Sequence, residues 1–62
     1  MNGKIKFRDE LTGEVKTYED WEIFASSQDS RISSLNYEND DRQMIRKNAT
    51  KELVADLVRI EH

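Results

Sequence analysis

Cysteine is missing from this chain and so is proline; histidine occurs once and glycine twice in 62 residues. Without cysteine there can be no disulfide staple, no thiol nucleophile and no thiolate metal site. Without proline, every residue after the first keeps a backbone N–H for pairing. Long apolar runs are also missing. The longest uninterrupted ones reach only three residues, as in Ile23-Phe24-Ala25, against the roughly 20 that a membrane-spanning helix needs and the about 7 to 15 of a signal-peptide core. The expectation is a cytoplasmic protein with no membrane segment. A chain of this length makes one small domain, 1–62, near the lower limit at which a hydrophobic core offsets chain entropy.

The scarcity of histidine bears on catalysis. His62 ends the sequence, where a side chain is poorly placed to be oriented by a second group. The five serines, Ser26, Ser27, Ser30, Ser33 and Ser34, have no neighbouring base to activate them. Carboxylates are plentiful, but a catalytic pair needs a cleft that raises one pKa, and so short a chain has little interior for one. Asn36-Tyr37-Glu38-Asn39-Asp40-Asp41 places oxygens at alternate positions, as a calcium loop does. Its glycine position, however, is Asp41 and its bidentate glutamate position is Lys47. Asn48-Ala49-Thr50 spells a glycosylation sequon, which a chain without a secretion signal has no use for. The sequence therefore predicts a non-enzyme, with no catalytic, cofactor-binding or metal-ligating residues.

What the sequence does have is charge, unevenly placed. The formal net charge is -3, yet the stretch Asp9–Asp41 holds ten acidic residues against Lys16 and Arg31. Basic residues flank it. Lys4, Lys6 and Arg8 come before, and Arg42, Arg46, Lys47 and Lys51 follow with no acid until Glu52. The acidic middle suits mimicry of nucleic acid toward a basic protein; the basic flanks suit phosphates.

Lys4-Ile5-Lys6-Phe7-Arg8 alternates charged and apolar residues with period two, which predicts a strand with Ile5 and Phe7 on one face. Gly13 supplies the positive φ of a hairpin loop, and Val15-Lys16-Thr17 returns as the second strand with Val15 on the face of Phe7. The hairpin covers about 4–17. Thr17 followed three places later by Asp20 is close to a capping box; Trp21, Phe24 and Ala25 then share one face of a short helix over 18–27, with continuation of the second strand through Trp21-Glu22-Ile23 as the competing reading. Trp21 with Tyr18 and Phe24 reads as core, or as a partner's hot spot. The Ser-, Asp- and Asn-rich stretch 28–39 is a polar loop, with Ile32, Leu35 and Tyr37 as anchors of a short extended piece.

For 40–61 the sequence predicts a longer C-terminal helix packed across the hairpin, capped by Asn39 or Asp40. At about 100° per residue, Ile45, Ala49, Leu53, Leu57 and Ile60 form one apolar stripe. Met44, Val54, Ala55 and Val58 form a second on the opposite side. A kink at 48–50, full coverage within the monomer, or burial by another copy would each explain two stripes. Burying one valine contributes roughly 1.5 to 3 kcal/mol, too much for a small domain to forgo. Met44, Val54 and Val58 are therefore the expected interface of a homo-oligomer, a dimer in its simplest form. The fold class expected is α+β, with a core of Ile5, Phe7, Val15, Trp21, Phe24, Ile45, Leu53, Leu57 and Ile60.

The segments Gly13-Glu14-Val15-Lys16-Thr17-Tyr18-Glu19-Asp20-Trp21 and Arg31-Ile32-Ser33-Ser34-Leu35-Asn36-Tyr37 make the chain resemble the small uncharacterised proteins encoded in prophages and mobile elements of Gram-positive bacteria. The resemblance implies a non-enzymatic accessory that binds host or phage macromolecules, and it carries no functional residues across. The function expected is a protein–protein interaction module acting as a homo-oligomer. The alternatives are a small nucleic-acid-associated regulator using Arg42, Arg46, Lys47 and Lys51, and an acidic inhibitor of a nucleic-acid-binding protein.

Overall fold

A computed structural model describes residues 5–33 and 41–60. Five strands and one helix follow in the order β1 (Lys6–Asp9), β2 (Val15–Thr17), α1 (Tyr18–Ser27), β3 (Ser30–Ile32), β4 (Arg42–Lys47) and β5 (Leu53–Arg59). The strands form one antiparallel sheet in the order β2-β1-β5-β4-β3. No helix among the described residues is long and apolar enough to cross a membrane.

The N-terminal hairpin turns at Gly13, whose φ of 82° lies in the left-handed region that glycine enters without steric cost. Its register pairs Phe7 with Lys16 and Arg8 with Val15. Side chains of directly paired residues share a face, so Val15 lies beside Arg8 and is 46% exposed, not on the face of Phe7. A buried carboxylate organises the turn. Asp9, 4% exposed, accepts hydrogen bonds through Oδ1 from the Leu11 N–H (2.9 Å) and from the Asp56 N–H on β5 (3.2 Å), and through Oδ2 from the Thr12 hydroxyl (3.3 Å).

α1 starts where Thr17 caps it. The Thr17 hydroxyl accepts from the Asp20 N–H at 3.2 Å, and Glu19 and Asp20 stand in the first turn, where the macrodipole favours acids. The helix lays Tyr18, Trp21 and Ala25 onto one face of the sheet against Phe7, Ile32, Ile45, Ala55 and Leu57. Trp21 is fully buried, and its indole N–H donates to the Phe7 carbonyl at 3.0 Å. The Trp21 and Phe24 rings meet edge to face at 5.5 Å, with the Lys16 ammonium 4.7 and 4.5 Å from their centroids. Trp21 is thus a core residue. Asp29, at φ 52°, then turns the chain into β3.

The C-terminal helix expected over 40–61 is not there: β4 and β5 form a hairpin instead. Gln43, Ile45, Ala55 and Leu57 point at α1 and are buried, while Arg42, Met44, Asp56 and Val58 point away. That is period two, and the β-branched Ile45, Val54 and Val58 suit the pleat. The turn falls at 48–50, where a kink had been the alternative; it is closed by the Lys47 N–H donating to the Glu52 carbonyl at 2.9 Å and the Lys51 N–H donating to the Lys47 carbonyl at 2.9 Å. The two apolar stripes are therefore the two faces of a sheet. One irregularity interrupts them. Pairing steps from Ile45 with Ala55 to Arg46 with Leu53, so Val54 is the extra residue of a bulge.

Of the expected core, Phe7, Trp21, Ile45 and Leu57 are buried, and Ile5 and Phe24 are partly buried against it. Leu53 and Ile60 are 40% and 41% exposed, because the bulge turns the first outward and the second follows the end of β5. Lys4, Leu35, Tyr37, most of the acidic loop Asn36–Asp41 and His62 lie outside the described residues.

Candidate nucleic-acid interface

Among the described residues, one side of the sheet carries α1 and the other is open. Rows across the open side follow from the register. Lys6 sits beside Thr17; Val15, Arg8, Val58 and Arg42 form the next row; Asp56 and Met44 the next; Leu53, Arg46 and Arg31 the last. Five cations, Lys6, Arg8, Arg31, Arg42 and Arg46, thus project from one face, interleaved with aliphatic side chains. On the other side α1 carries Glu19, Asp20 and Glu22 and no basic residue. The sorting by face is partial, since Lys16 and Arg59 pair with Phe7 on the helix side and Asp56 stands on the open one.

Two of these cations are held by carboxylates. Arg8 meets Glu10 at 2.7 Å. Arg42 grips Asp56 through two bonds, Nε to Oδ1 at 3.1 Å and Nη2 to Oδ2 at 2.6 Å, the bidentate geometry that makes arginine–carboxylate pairs specific. The hydrogen bonds from Arg42 hold the Asp56 carboxyl below the usual carboxylate range; partial burial opposes this and the guanidinium charge adds to it. In turn the bonds to Asp56, and then its charge, raise the Arg42 pKa above its ordinary value.

Arg31 and Arg46 meet further basic residues at the end of the sheet. Arg31, Arg46, Lys47 and Lys51 line a cleft of about 440 Å³ together with Ser33, Met44 and Asn48, at the end of the sheet where β3, β4 and the β4–β5 turn meet. Arg31 and Arg46 are directly paired across β3 and β4, an arrangement that like charges disfavour unless something negative comes between them. None of the four forms a salt bridge among the described residues. The Arg46 guanidinium is positioned by donating to the Lys51 carbonyl at 3.0 Å, and its other nitrogen lies 3.5 Å from the Met44 sulfur. Lys51 itself sits at φ 65°, a left-handed position unusual for a lysine. Asn48 is tied back to Asp29 by its backbone N–H (3.0 Å) and its side-chain amide (3.4 Å).

Of the four basic residues expected to contact nucleic acid, Arg46, Lys47 and Lys51 share this cleft, and Arg42 stands apart in its pair with Asp56. Met44 and Val58 are half-buried on the open face among arginines, whereas Val54 packs against the core. The three residues assigned to an oligomer interface therefore do not form one patch. The helix that had grouped them is absent. Sequence reasoning missed Arg31 and Ser33, which reach the site only because β3 pairs with β4. No protein-family model matches the chain, nor does any curated protein or solved structure.

Proposed function

We propose that this chain is a non-catalytic binding module whose open sheet face docks on the phosphate backbone of nucleic acid, acting in the cytoplasm as the small nucleic-acid-associated accessory that the sequence left as an alternative. The observation that carries this reading is the excess of positive charge on the open face, five cations against the carboxylates of Glu10 and Asp56.

Magnitudes favour it over the net charge of -3. Strands lie about 4.8 Å apart, so cations from β1 to β3 span roughly 14 Å. Duplex DNA presents one negative charge per about 1.7 Å of axis, so a face of that width meets several phosphates. The acids of α1 lie behind the sheet by roughly another 10 Å, about one Debye length at 0.1 M salt, and are largely screened from a ligand on the open side. The face has no aromatic among its described residues, since Phe7, Tyr18 and Trp21 are buried under α1. Base stacking on exposed rings is the hallmark of single-strand platforms, so the duplex backbone is the better fit and binding is sequence-tolerant.

A second copy is a poorer occupant. Stacking this face on itself would set five cations against five, and like charges across an interface are costly. The acidic-inhibitor reading keeps the exposed Glu19, Asp20 and Glu22 of α1, but Asp9 is buried and Glu10 and Glu14 pair with Arg8 and Lys16.

The test is fluorescence anisotropy of a labelled random duplex against the protein at low salt. The expected Kd lies in the range of about 10⁻⁴ to 10⁻⁶ M and weakens steeply as salt is raised. No change in anisotropy at about 100 μM protein and low salt, above most of that range, refutes the proposal.

A further inference from the structure

We infer that the cleft between β3, β4 and the β4–β5 turn is a nucleotide-sized phosphate site, in which Arg31, Arg46 and Lys51 hold one phosphate and the Met44 side chain meets the attached sugar or base. This rests on the function proposed above and deepens it, by naming a place at the end of the sheet that encloses a group instead of lying flat against it.

Three observations carry it. The first is concavity. A volume of about 440 Å³ falls within the roughly 300 to 1,000 Å³ typical of small-ligand clefts, ample for a phosphate and a sugar. The second is unbalanced charge. Arg8 and Arg42 have carboxylate partners on the open face, but the four cations of the cleft have none among the described residues, and two of them are paired directly across neighbouring strands. A dianionic phosphate relieves that repulsion and supplies oxygens for the guanidinium forks. The third is preorganisation. Arg46 is fixed by the Lys51 carbonyl, the turn is tied to Asp29 through Asn48, and the Ser33 hydroxyl is held on the cleft wall, accepting from the Met44 N–H at 3.0 Å. Met44, half-buried and beside Arg46, gives the cleft one apolar wall, suited to a sugar or base edge and wasted on a bare anion.

The experiment is an amide-detected NMR titration with adenosine 5′-monophosphate, inorganic phosphate and unphosphorylated adenosine. The expected result is saturable shifts of the Arg31, Ser33 and Met44 to Lys51 amides, at lower concentration for the nucleotide than for inorganic phosphate, and none with adenosine. The double variant Arg46→Gln with Lys51→Asn removes two cations while asparagine tolerates the left-handed backbone; it should abolish the shifts. Arg31→Gln, on the other strand of the cleft, should weaken them as well, so the inference does not depend on one variant folding. Each lost contact to a duplex costs about 0.9 units of salt slope, so the double variant should bind duplex with a slope smaller by about 1.8 and an affinity about 60-fold lower at 0.1 M salt. Shifts that are absent, that spread equally to Lys6 and Arg8, or that survive in both variants overturn the site. Duplex binding by a protein whose cleft ignores the nucleotide would sink this inference and leave the proposed function standing. A cleft that takes the nucleotide in a protein that ignores duplex would do the reverse.

Discussion

Replacing Asp9 by alanine should remove a large part of this protein's stability at 25 °C, whereas asparagine at the same position should not. The carboxylate is 4% exposed and serves two backbone donors at one oxygen, the N–H groups of Leu11 and Asp56, and the Thr12 hydroxyl at the other. Alanine strands both N–H groups. Leaving a partly buried donor unsatisfied costs about 1 to 3 kcal/mol, so the two together cost about 2 to 6 kcal/mol. A single core of this size rarely supplies more than about 3 to 5 kcal/mol of net stability, and the loss falls where β1, its turn and β5 are joined. Asparagine keeps an oxygen for both donors and gives up only charge assistance, about 1 to 2 kcal/mol. Urea denaturation followed by far-UV circular dichroism at neutral pH measures both variants against the parent. If the alanine and asparagine variants unfold at the same midpoint, or if alanine costs under about 1 kcal/mol, the carboxylate is not the hub described here.

Gly13→Ala should cost about 1 to 2 kcal/mol by thermal or urea unfolding, because the left-handed backbone penalises a Cβ even where no atom lies within 4 Å to clash with it; an unchanged midpoint would show that the turn relaxes freely. Trp21→Phe removes the bond to the Phe7 carbonyl and opens a void among fully buried neighbours, for a loss of about 2 to 3 kcal/mol by the same assay, and a loss within error would mean that the sheet closes over the gap. The Asp56 carboxyl is held below its ordinary value in the folded protein, so its contribution is present above the unfolded carboxylate pKa of about 3.9 and is lost as pH falls through the folded value. Asp56→Asn should therefore lose stability less steeply than the parent on acidification below about pH 4. Parallel acid profiles would contradict that linkage.

The first half of the fold was more legible because its helix signal outweighed the competing strand through Trp21-Glu22-Ile23. Gly13 marks the turn, Thr17 marks the helix start, and Trp21, Phe24 and Ala25 repeat at three and four. From Met44 onward the signal has two meanings. Ile45, Ala49, Leu53 and Leu57 are spaced by four, which lies near the 3.6 of a helix and is also an even number, as a strand demands. The second apolar set, Met44, Val54 and Val58, should have decided the matter. A helix needs a kink, full coverage or a second copy to explain apolar residues on opposite sides, but a sheet with one covered face and one half-apolar open face produces them as a matter of course. The bulge at Val54 then hid the parity, since it puts Leu53 outward and Val54 toward the core. Three residues of the cleft were visible as the basic run from Arg46 to Lys51. Arg31 was not, because nothing local says that it will stand opposite Arg46; only the pairing of β3 with β4 puts it there.

Both lateral strands of the sheet, β2 and β3, are three residues long. So brief a margin offers a passing extended chain few ladder rungs to grip, and short margins are one of the ways natural sheets avoid zipping together into fibrils. At the high local concentrations reached when many copies crowd along one polymer, that frugality at the borders would keep neighbours side by side as separate molecules.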